Sequence, residues 1–318
     1  MRTSREIHAV TRHLIHVGYP KTGSTFLQEW FQQHPEFRYV SRGVAGFRSV
    51  NHMCVEPGGA FRYYVTSSEG LAAPHSSVAN LRPPRPGETP RPPERFKEKQ
   101  AEVCDVLRTL YPGSRILIVT RGFREMILSG YSEFVRLGGT LDPEGMCRAL
   151  GTRLAEDEHH YLDYDYLVGL YLEAFGAENV ILLPYELLRD DQRRFVAVLE
   201  ETLGVDHAEI DIGRIHTSLS PTQMRWYPRL SRALSVVASG LGPAAARRLY
   251  AWYDARLYPA GLGSWLLKWA GAGRRITWED FPDEILRFCE GKATRLRDHP
   301  LYAPYATEYL WREEAVPA

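Results

Sequence analysis

The sequence predicts an α/β fold in three layers, with a central parallel sheet and a mainly helical C-terminal cap. Short apolar runs at residues 14–17, 115–120 and 179–183 have the length and β-branched content of buried strands. Each run is followed by a stretch whose apolar residues recur at helical spacing. Strands that alternate with helices in this way are typical of parallel sheets covered on both faces.

The first part of the chain predicts a strand, a glycine turn, a helix and a second strand. The run at 14–17 leads through a turn bracketed by two glycines into a stretch with helical periodicity. Residues 38–41 are compatible with a short strand, and the aromatic, β-branched run FRYYVT at 61–66 predicts a better one. The six prolines in 80–94 indicate a surface loop, which is either a lid or a plain connector.

The later elements alternate in the same manner. In chain order, the sequence predicts an amphipathic helix over 95–110, a strand over 115–120, a helix from Phe123, a long helix over 155–175, a strand over 179–183 and a helix that continues from Tyr185 to a stop at Gly204. A chain of 318 residues suits a single large domain. Within it we expect an α/β core over 12–205 and the cap over 206–318.

Composition restricts the classes of partner. The 39 basic and 39 acidic residues balance, so the chain has no net positive charge that would indicate binding to nucleic acid. The four cysteines lie far apart without C-x-x-C spacing, which indicates reduced thiols and neither a zinc site nor a disulfide framework. Neither a signal-peptide pattern nor a run of about 18 uncharged apolar residues is present, so the sequence predicts a cytoplasmic protein.

Residues 14–27, LIHVGYPKTGSTFL, predict an anion-binding loop. A strand that passes through a glycine turn into a helix directs backbone N–H groups and the positive end of the helix dipole at one place. Lys21 adds a full charge there, and Thr22, Ser24 and Thr25 add hydroxyl donors. A phosphate or sulfate group fits such a loop.

The loop departs from the pattern of nucleoside-triphosphate loops. Gly18 and Gly23 have the G-x-x-x-x-G spacing, but Ser24 occupies the lysine position and Lys21 lies inside the loop. This arrangement resembles the 5′-phosphosulfate loop of the sulfotransferases, which reads much like Y-P-K-[ST]-G-[ST]-[ST] and takes a sulfuryl group from 3′-phosphoadenosine 5′-phosphosulfate (PAPS). The resemblance implies a P-loop-NTPase-like fold and these cofactor-binding residues: Lys21, Thr22, Gly23, Ser24, Thr25 and Phe26.

A second motif strengthens the resemblance. Sulfotransferases carry, after a central strand, an arginine followed eight residues later by a serine, and this pair binds the 3′-phosphate of PAPS. Arg121 and Ser129 have that spacing after the strand at 115–120. The R-K-G tripeptide of animal cytosolic members, which also holds the 3′-phosphate, is absent, and Arg225 is a candidate to replace it.

The resemblance also implies a catalytic base just after a strand that neighbours the loop. Glu69, at the end of YYVTSSE, occupies that place, and His52 and His75 are alternatives. Lys21 and Glu69 are therefore the predicted catalytic residues. No metal ion is implied.

Residues 225–275 differ in composition from the rest of the chain. The segment contains nine Lys or Arg residues and one acidic residue, Asp254, so its net charge is +8. Trp252, Trp265 and Trp269 lie within it. This composition favours either a peripheral contact with an anionic membrane, a face for an acidic or lipid-linked acceptor, or a solvated helical cap.

The sequence as a whole predicts a PAPS-dependent sulfotransferase that acts on a hydroxyl or amine of a small-molecule, glycan or lipid acceptor. Two alternatives are an ATP- and Mg²⁺-dependent small-molecule kinase with a variant P-loop, and a non-catalytic anion- or membrane-binding module. The identity of the acceptor and the oligomeric state stay open.

Overall fold

A computed structural model describes residues 12–55, 61–72, 81, 85, 95–213, 219–256 and 274–311. Five parallel strands form one sheet in the order β2-β3-β1-β4-β5. The strands are β1 Arg12–Val17, β2 Phe37–Arg38, β3 Tyr63–Ser68, β4 Arg115–Thr120 and β5 Val180–Pro184. The predicted α/β fold with a central parallel sheet is confirmed.

Strand β1 is the centre of the sheet. It pairs with β3 on one side, where Ile15 lies opposite Thr66, and with β4 on the other, where Ile15 lies opposite Ile116. Because the strands are parallel, the carboxyl ends of β3, β1 and β4 lie at one edge, the usual position of ligands in open α/β sheets.

Ten α-helices occupy the described ranges. They are α1 Ser24–Gln33, α2 Val50–Val55, α3 Phe96–Leu110, α4 Phe123–Arg136, α5 Pro143–Leu154, α6 Tyr164–Phe175, α7 Tyr185–Asp190, α8 Gln192–Leu203, α9 Pro221–Ser239 and α10 Pro243–Arg256. A membrane-spanning helix would have to be longer and more apolar than any of them.

The sheet separates two apolar cores, which together make the three layers. Ile15 and Ile118 belong to the core that α3, α4, α5 and α6 cover. Leu14 and Leu117, which point to the opposite face, belong to the core beneath α1, α7 and α8. Alternate residues of one strand therefore enter different cores, as the period of two in a strand requires.

Among the described residues of the C-terminal part, the α-helices lie in the first half. Helices α9 and α10 form a hairpin, whereas residues 278–305 form short 3₁₀ turns whose Leu286 and Tyr302 pack into the core of the α/β unit. Most of the proline-rich segment 80–94, and with it the prediction of a lid or connector, lies outside the described residues.

Two predicted helices were wrong in extent. The helix predicted over 155–175 begins at Tyr164, because Asp163 is its N-cap and accepts a hydrogen bond from the N–H of Tyr166. The helix predicted from Tyr185 to Gly204 is two helices, since Asp191 has an extended backbone and caps α8 through the N–H of Arg194. The strand predicted over 38–41 is Phe37–Arg38.

A buried carboxylate joins α6 to two other parts of the chain. Asp163 Oδ2 accepts from Lys97 Nζ of α3 at 2.8 Å and from Lys292 Nζ at 2.9 Å. Burial acts to raise the pKa of Asp163, but the hydrogen bonds from the two lysines and from Tyr166 outweigh it, so that the pKa is lowered. Asp163 is therefore charged and stabilises the fold in its charged form.

We predict that Asp163→Asn lowers the free energy of unfolding by about 1 to 3 kcal/mol at neutral pH, because two charge-assisted hydrogen bonds are lost. Since the folded pKa is depressed, this contribution is present above the unfolded pKa and disappears as the pH falls through the folded one. Urea unfolding of both proteins at neutral and acidic pH measures it. The matched control is Asp157→Asn, an exposed partner of the same lysines. An equal loss in both variants would contradict the assignment.

Candidate functional site

The turn between β1 and α1 leaves a helix N-terminus open. Helix α1 has Gly23 as its N-cap, no side-chain cap and no acidic residue in its first turn. The first N–H groups of a helix have no partner within the helix, so they remain available to an anion. Gly23 has φ 84°, and a Cβ at this position would lie 2.5 Å from Cδ2 of Leu188. Glycine is therefore required here.

Lys21 lies at the tip of this turn in a left-handed conformation. Its φ of 68° is uncommon for a residue with a Cβ and marks local strain of the kind found at binding sites. The side chain is about one third exposed, and its Nζ lies 3.7 Å from Oε2 of Glu133 on α4. The ammonium group therefore lies between the loop and α4.

The other predicted loop residues divide into two groups. Thr22 is fully buried, and its hydroxyl donates to the Tyr19 carbonyl at 2.7 Å, so that it shapes the loop. Phe26 packs in the core beneath α8. Ser24, which is buried at the start of α1, and Thr25, which is exposed, place hydroxyl groups at the helix N-terminus.

Arg121, immediately after β4, reaches the loop. Its Nη1 donates to the Lys21 carbonyl at 2.7 Å, and its Nη2 donates to Oε2 of Glu125 at 2.6 Å. The guanidinium lies 4.3 Å from the centre of the Tyr185 ring, a cation–π contact. Arg121 is thus held beside the loop, and the N–H of its buried Nε is left without a hydrogen-bond partner.

Ser129 lies on the side of α4 that faces these two cations. Glu125, Ser129 and Glu133 are spaced by four residues, which puts them on one face of a helix. Glu125 bonds to Arg121 at one end of this row, and Glu133 approaches Lys21 at the other. The partly exposed Ser129 between them is thus brought to the same region, as the sequence predicts.

Glu69 follows β3 and begins a short 3₁₀ turn. Burial of its carboxyl raises the pKa of Glu69, and a hydrogen bond with Ser24 and the charge of Lys21 lower it by less. Although the residue as a whole is exposed, its carboxyl is therefore close to the loop. His52 lies on α2, and His75 lies outside the described residues.

The backbone beside Arg121 is fixed by a fully buried carboxylate, that of Glu186. Glu186 accepts from the Gly122 N–H at 2.8 Å and from the Tyr309 hydroxyl at 3.0 Å. Burial raises the pKa of Glu186. The Tyr164 hydroxyl also donates to the Arg121 carbonyl, at 2.6 Å. The position of the guanidinium thus depends on groups from α6, α7 and the C-terminal turns.

A second buried polar group lies behind the loop and was not predicted. His16, on β1, bonds through Nδ1 to the Ser67 hydroxyl at 2.8 Å, and Gln28 of α1 donates to the same hydroxyl at 3.2 Å. Burial lowers the pKa of His16 to about 4, so the ring is neutral. A Cβ at Gly18 would lie 2.9 Å from this ring, which explains the glycine. The pair ties the start of α1 to the sheet.

Potential metal ligands occur together once in the described part of the chain. Ligand atoms of Glu156, Glu158 and His159 lie within 4.8 Å of one another on the 3₁₀ turn before α6. Both glutamates are exposed and contact the histidine as ion-pair partners. This cluster is not part of the loop region.

No protein-family model matches the chain, and no curated protein matches it significantly. Among solved structures, a sulfotransferase from Alicyclobacillus acidocaldarius is similar with a TM-score of 0.43 and 17% identity, over 74% of this chain and 98% of that chain. Mouse sulfotransferase SULT7A1 complexed with PAP is similar with a TM-score of 0.43 and 14% identity, over 95% of this chain and 89% of that chain. Both similar structures are thus sulfotransferases.

We predict that Glu186→Ala destabilises the protein by about 1 to 3 kcal/mol, because the buried Gly122 N–H loses its acceptor and the Tyr309 hydroxyl keeps only the Thr120 hydroxyl as a partner. Glu186→Gln should cost much less, because its amide oxygen accepts from the N–H while its NH₂ group donates to the hydroxyl. Thermal and urea unfolding of the two variants provide the measurement. A glutamine variant as unstable as the alanine variant would show that these hydrogen bonds are not the reason.

Proposed function

We propose that the chain is a sulfotransferase that uses PAPS. The observation that carries the proposal is the hydrogen bond from the Arg121 guanidinium to the Lys21 carbonyl. It joins the two motifs on which the resemblance rests, although they lie 100 residues apart in sequence. A loop for one anionic group and an arginine for a second one therefore form a single site, as a cofactor with two separate phosphates requires.

The residues present suit this cofactor. The uncapped start of α1 and Lys21 suit the 5′-phosphosulfate. The unused Nε of Arg121, together with the Ser129 hydroxyl, suits a 3′-phosphate, since a guanidinium pairs well with phosphate oxygens. Glu125 holds the guanidinium in place and balances its charge.

Each group has a distinct part in the reaction. PAPS, when bound, supplies an activated sulfuryl group. Lys21 and the N–H groups of α1 stabilise the negative charge that grows on the leaving phosphate, and they do so more strongly in the transition state than in the ground state. Glu69 accepts the proton of the acceptor hydroxyl or amine. Its raised pKa makes it a better base than an ordinary carboxylate.

The kinase alternative fits the site less well. In a nucleoside-triphosphate loop the lysine follows the second glycine and a Ser or Thr that holds Mg²⁺ comes next. Here Ser24 has the lysine position and lies buried at the start of α1, and the residue after β4 is Arg121 rather than a carboxylate. Thr25 keeps the hydroxyl position of such a loop, but Ser24 replaces the lysine before it, and an arginine stands after β4 in place of a carboxylate for Mg²⁺.

Calorimetric titration tests the cofactor. We expect adenosine 3′,5′-bisphosphate to bind in EDTA without Mg²⁺, and ADP to bind more weakly. Arg121→Ala should weaken bisphosphate binding by about 10- to 100-fold, the loss of one or two charge-assisted bonds. The control is Arg124→Ala, at an exposed arginine of α4, and this variant should bind normally. If the protein instead prefers ADP with Mg²⁺, the proposal is wrong and the kinase alternative is favoured.

A second experiment tests the base. With radiolabelled PAPS and a pool of small molecules, glycans and lipids as acceptors, Glu69→Gln should lower sulfuryl transfer by about 100-fold or more. Bisphosphate affinity should not fall, because Glu69 is assigned to the acceptor and its charge opposes an anion beside Lys21. His52→Gln is the matched comparison. A normal rate in the Glu69 variant, with loss in the His52 variant, would transfer the role to the histidine.

A further inference from the structure

The hairpin of α9 and α10 packs on the α/β unit through one side only. Met224 and Tyr227 enter the core that contains α4, and Arg232 donates to the Thr140 carbonyl just beyond that helix. Within the hairpin, the Ser231 hydroxyl and the Tyr253 hydroxyl lie 3.2 Å apart. The hairpin is thus fixed to the helix that carries Ser129, and its opposite side is left facing outward.

The outward side carries a concentration of exposed apolar side chains. Nine large apolar residues of the described ranges are exposed, and five of them lie here, with exposed fractions of 38% to 69%. These five are Leu230, Val236, Val237, Leu241 and Trp252. Exposed apolar residues scattered singly are normal, but such a group on one hairpin marks a contact surface.

Exposed arginines lie on the same hairpin. Arg225 and Arg229 on α9, and Arg247 and Arg248 on α10, are exposed, and no carboxylate of the described residues lies within ion-pair distance of them. The one acidic residue between 219 and 256 is Asp254, which is already paired with Arg85. The chain as a whole is neutral, so this basic surface is a local separation of charge.

We propose that the outward side of the α9–α10 hairpin docks on the surface of an anionic lipid bilayer. Helices that lie at such an interface combine exposed apolar and aromatic residues with Lys or Arg. The arginines are attracted to anionic headgroups, and the apolar side chains enter the boundary of the acyl chains. A second copy of the chain is a poor occupant, because it would oppose arginine to arginine. This inference does not depend on the sulfotransferase assignment.

Co-sedimentation with vesicles tests the proposal. The full chain should sediment with vesicles that contain phosphatidylglycerol at low salt, and not with vesicles of phosphatidylcholine alone. At about 0.5 M salt the binding should fall by tenfold or more, since the Debye length shrinks to a few ångströms. Absence of binding to the anionic vesicles at low salt would overturn the proposal.

Two pairs of substitutions locate the contact. Arg247→Glu with Arg248→Glu should lower anionic-vesicle binding by about tenfold or more. The matched control reverses two exposed arginines elsewhere, Arg108→Glu on α3 and Arg193→Glu on α8, and should change the binding by less than about twofold. Equal loss in both pairs would show that overall charge is responsible, and would overturn the proposed surface.

The apolar contribution has its own measurement. Vesicles with brominated acyl chains should quench the tryptophan fluorescence of the wild type, and Trp252→Phe should remove part of that quenching. Circular dichroism and thermal unfolding establish that each variant is folded. Unchanged quenching in Trp252→Phe, or a dimer in light scattering that the hairpin variants abolish, would assign this surface to another contact.

Discussion

The site depends on one hydrogen bond, from the guanidinium of Arg121 to the carbonyl of Lys21. Because β1 lies between β3 and β4, the loop after β1 and the residue after β4 meet at the same edge of the sheet. A buried guanidinium needs acceptors for its donors, and the left-handed turn at Lys21 offers its carbonyl as one of them. The strained loop and the buried cation therefore stabilise each other, and the Glu69 carboxyl comes to the same edge from β3.

The charges of the site are close to balance. Lys21 and Arg121 are opposed by Glu125 and Glu133 from one face of α4, and Glu69 adds a further carboxyl. A carboxylate that lies beside a cation reduces the attraction of that cation for an anion in solution. A small anion contacts one of these cations at a time, whereas a ligand with two separate charged groups can contact both at once. The arrangement thus favours a doubly anchored ligand over free sulfate or phosphate.

Local sequence patterns predicted the strands and helices that position the site. They did not predict the polar contacts between residues far apart in sequence. Glycine spacing predicts the loop at 18–23, and a continuous apolar run predicts the strand before Arg121. Each of these patterns lies within a few consecutive residues. The break before Tyr164 depends on one capping aspartate inside a periodic stretch, which periodicity alone does not show. The partnership of Glu186 with Tyr309 joins residues 123 positions apart and has no local signal. His16 appeared as a polar interruption of β1, and its role depends on Ser67 of the neighbouring strand.

The C-terminal turns are joined by hydrogen bonds to the residues beside the loop between β1 and α1. Tyr309 donates to Glu186, which holds the Gly122 N–H, and the Tyr302 and Tyr309 hydroxyls both lie 3.0 Å from the Thr120 hydroxyl at the end of β4. The position of Arg121 therefore depends both on the loop after β1, near the start of the chain, and on Tyr309, near its end. A ligand that binds only the assembled site stabilises every element that builds it. Anion binding and the packing of the C-terminal turns are consequently linked, since both require the same position of Arg121.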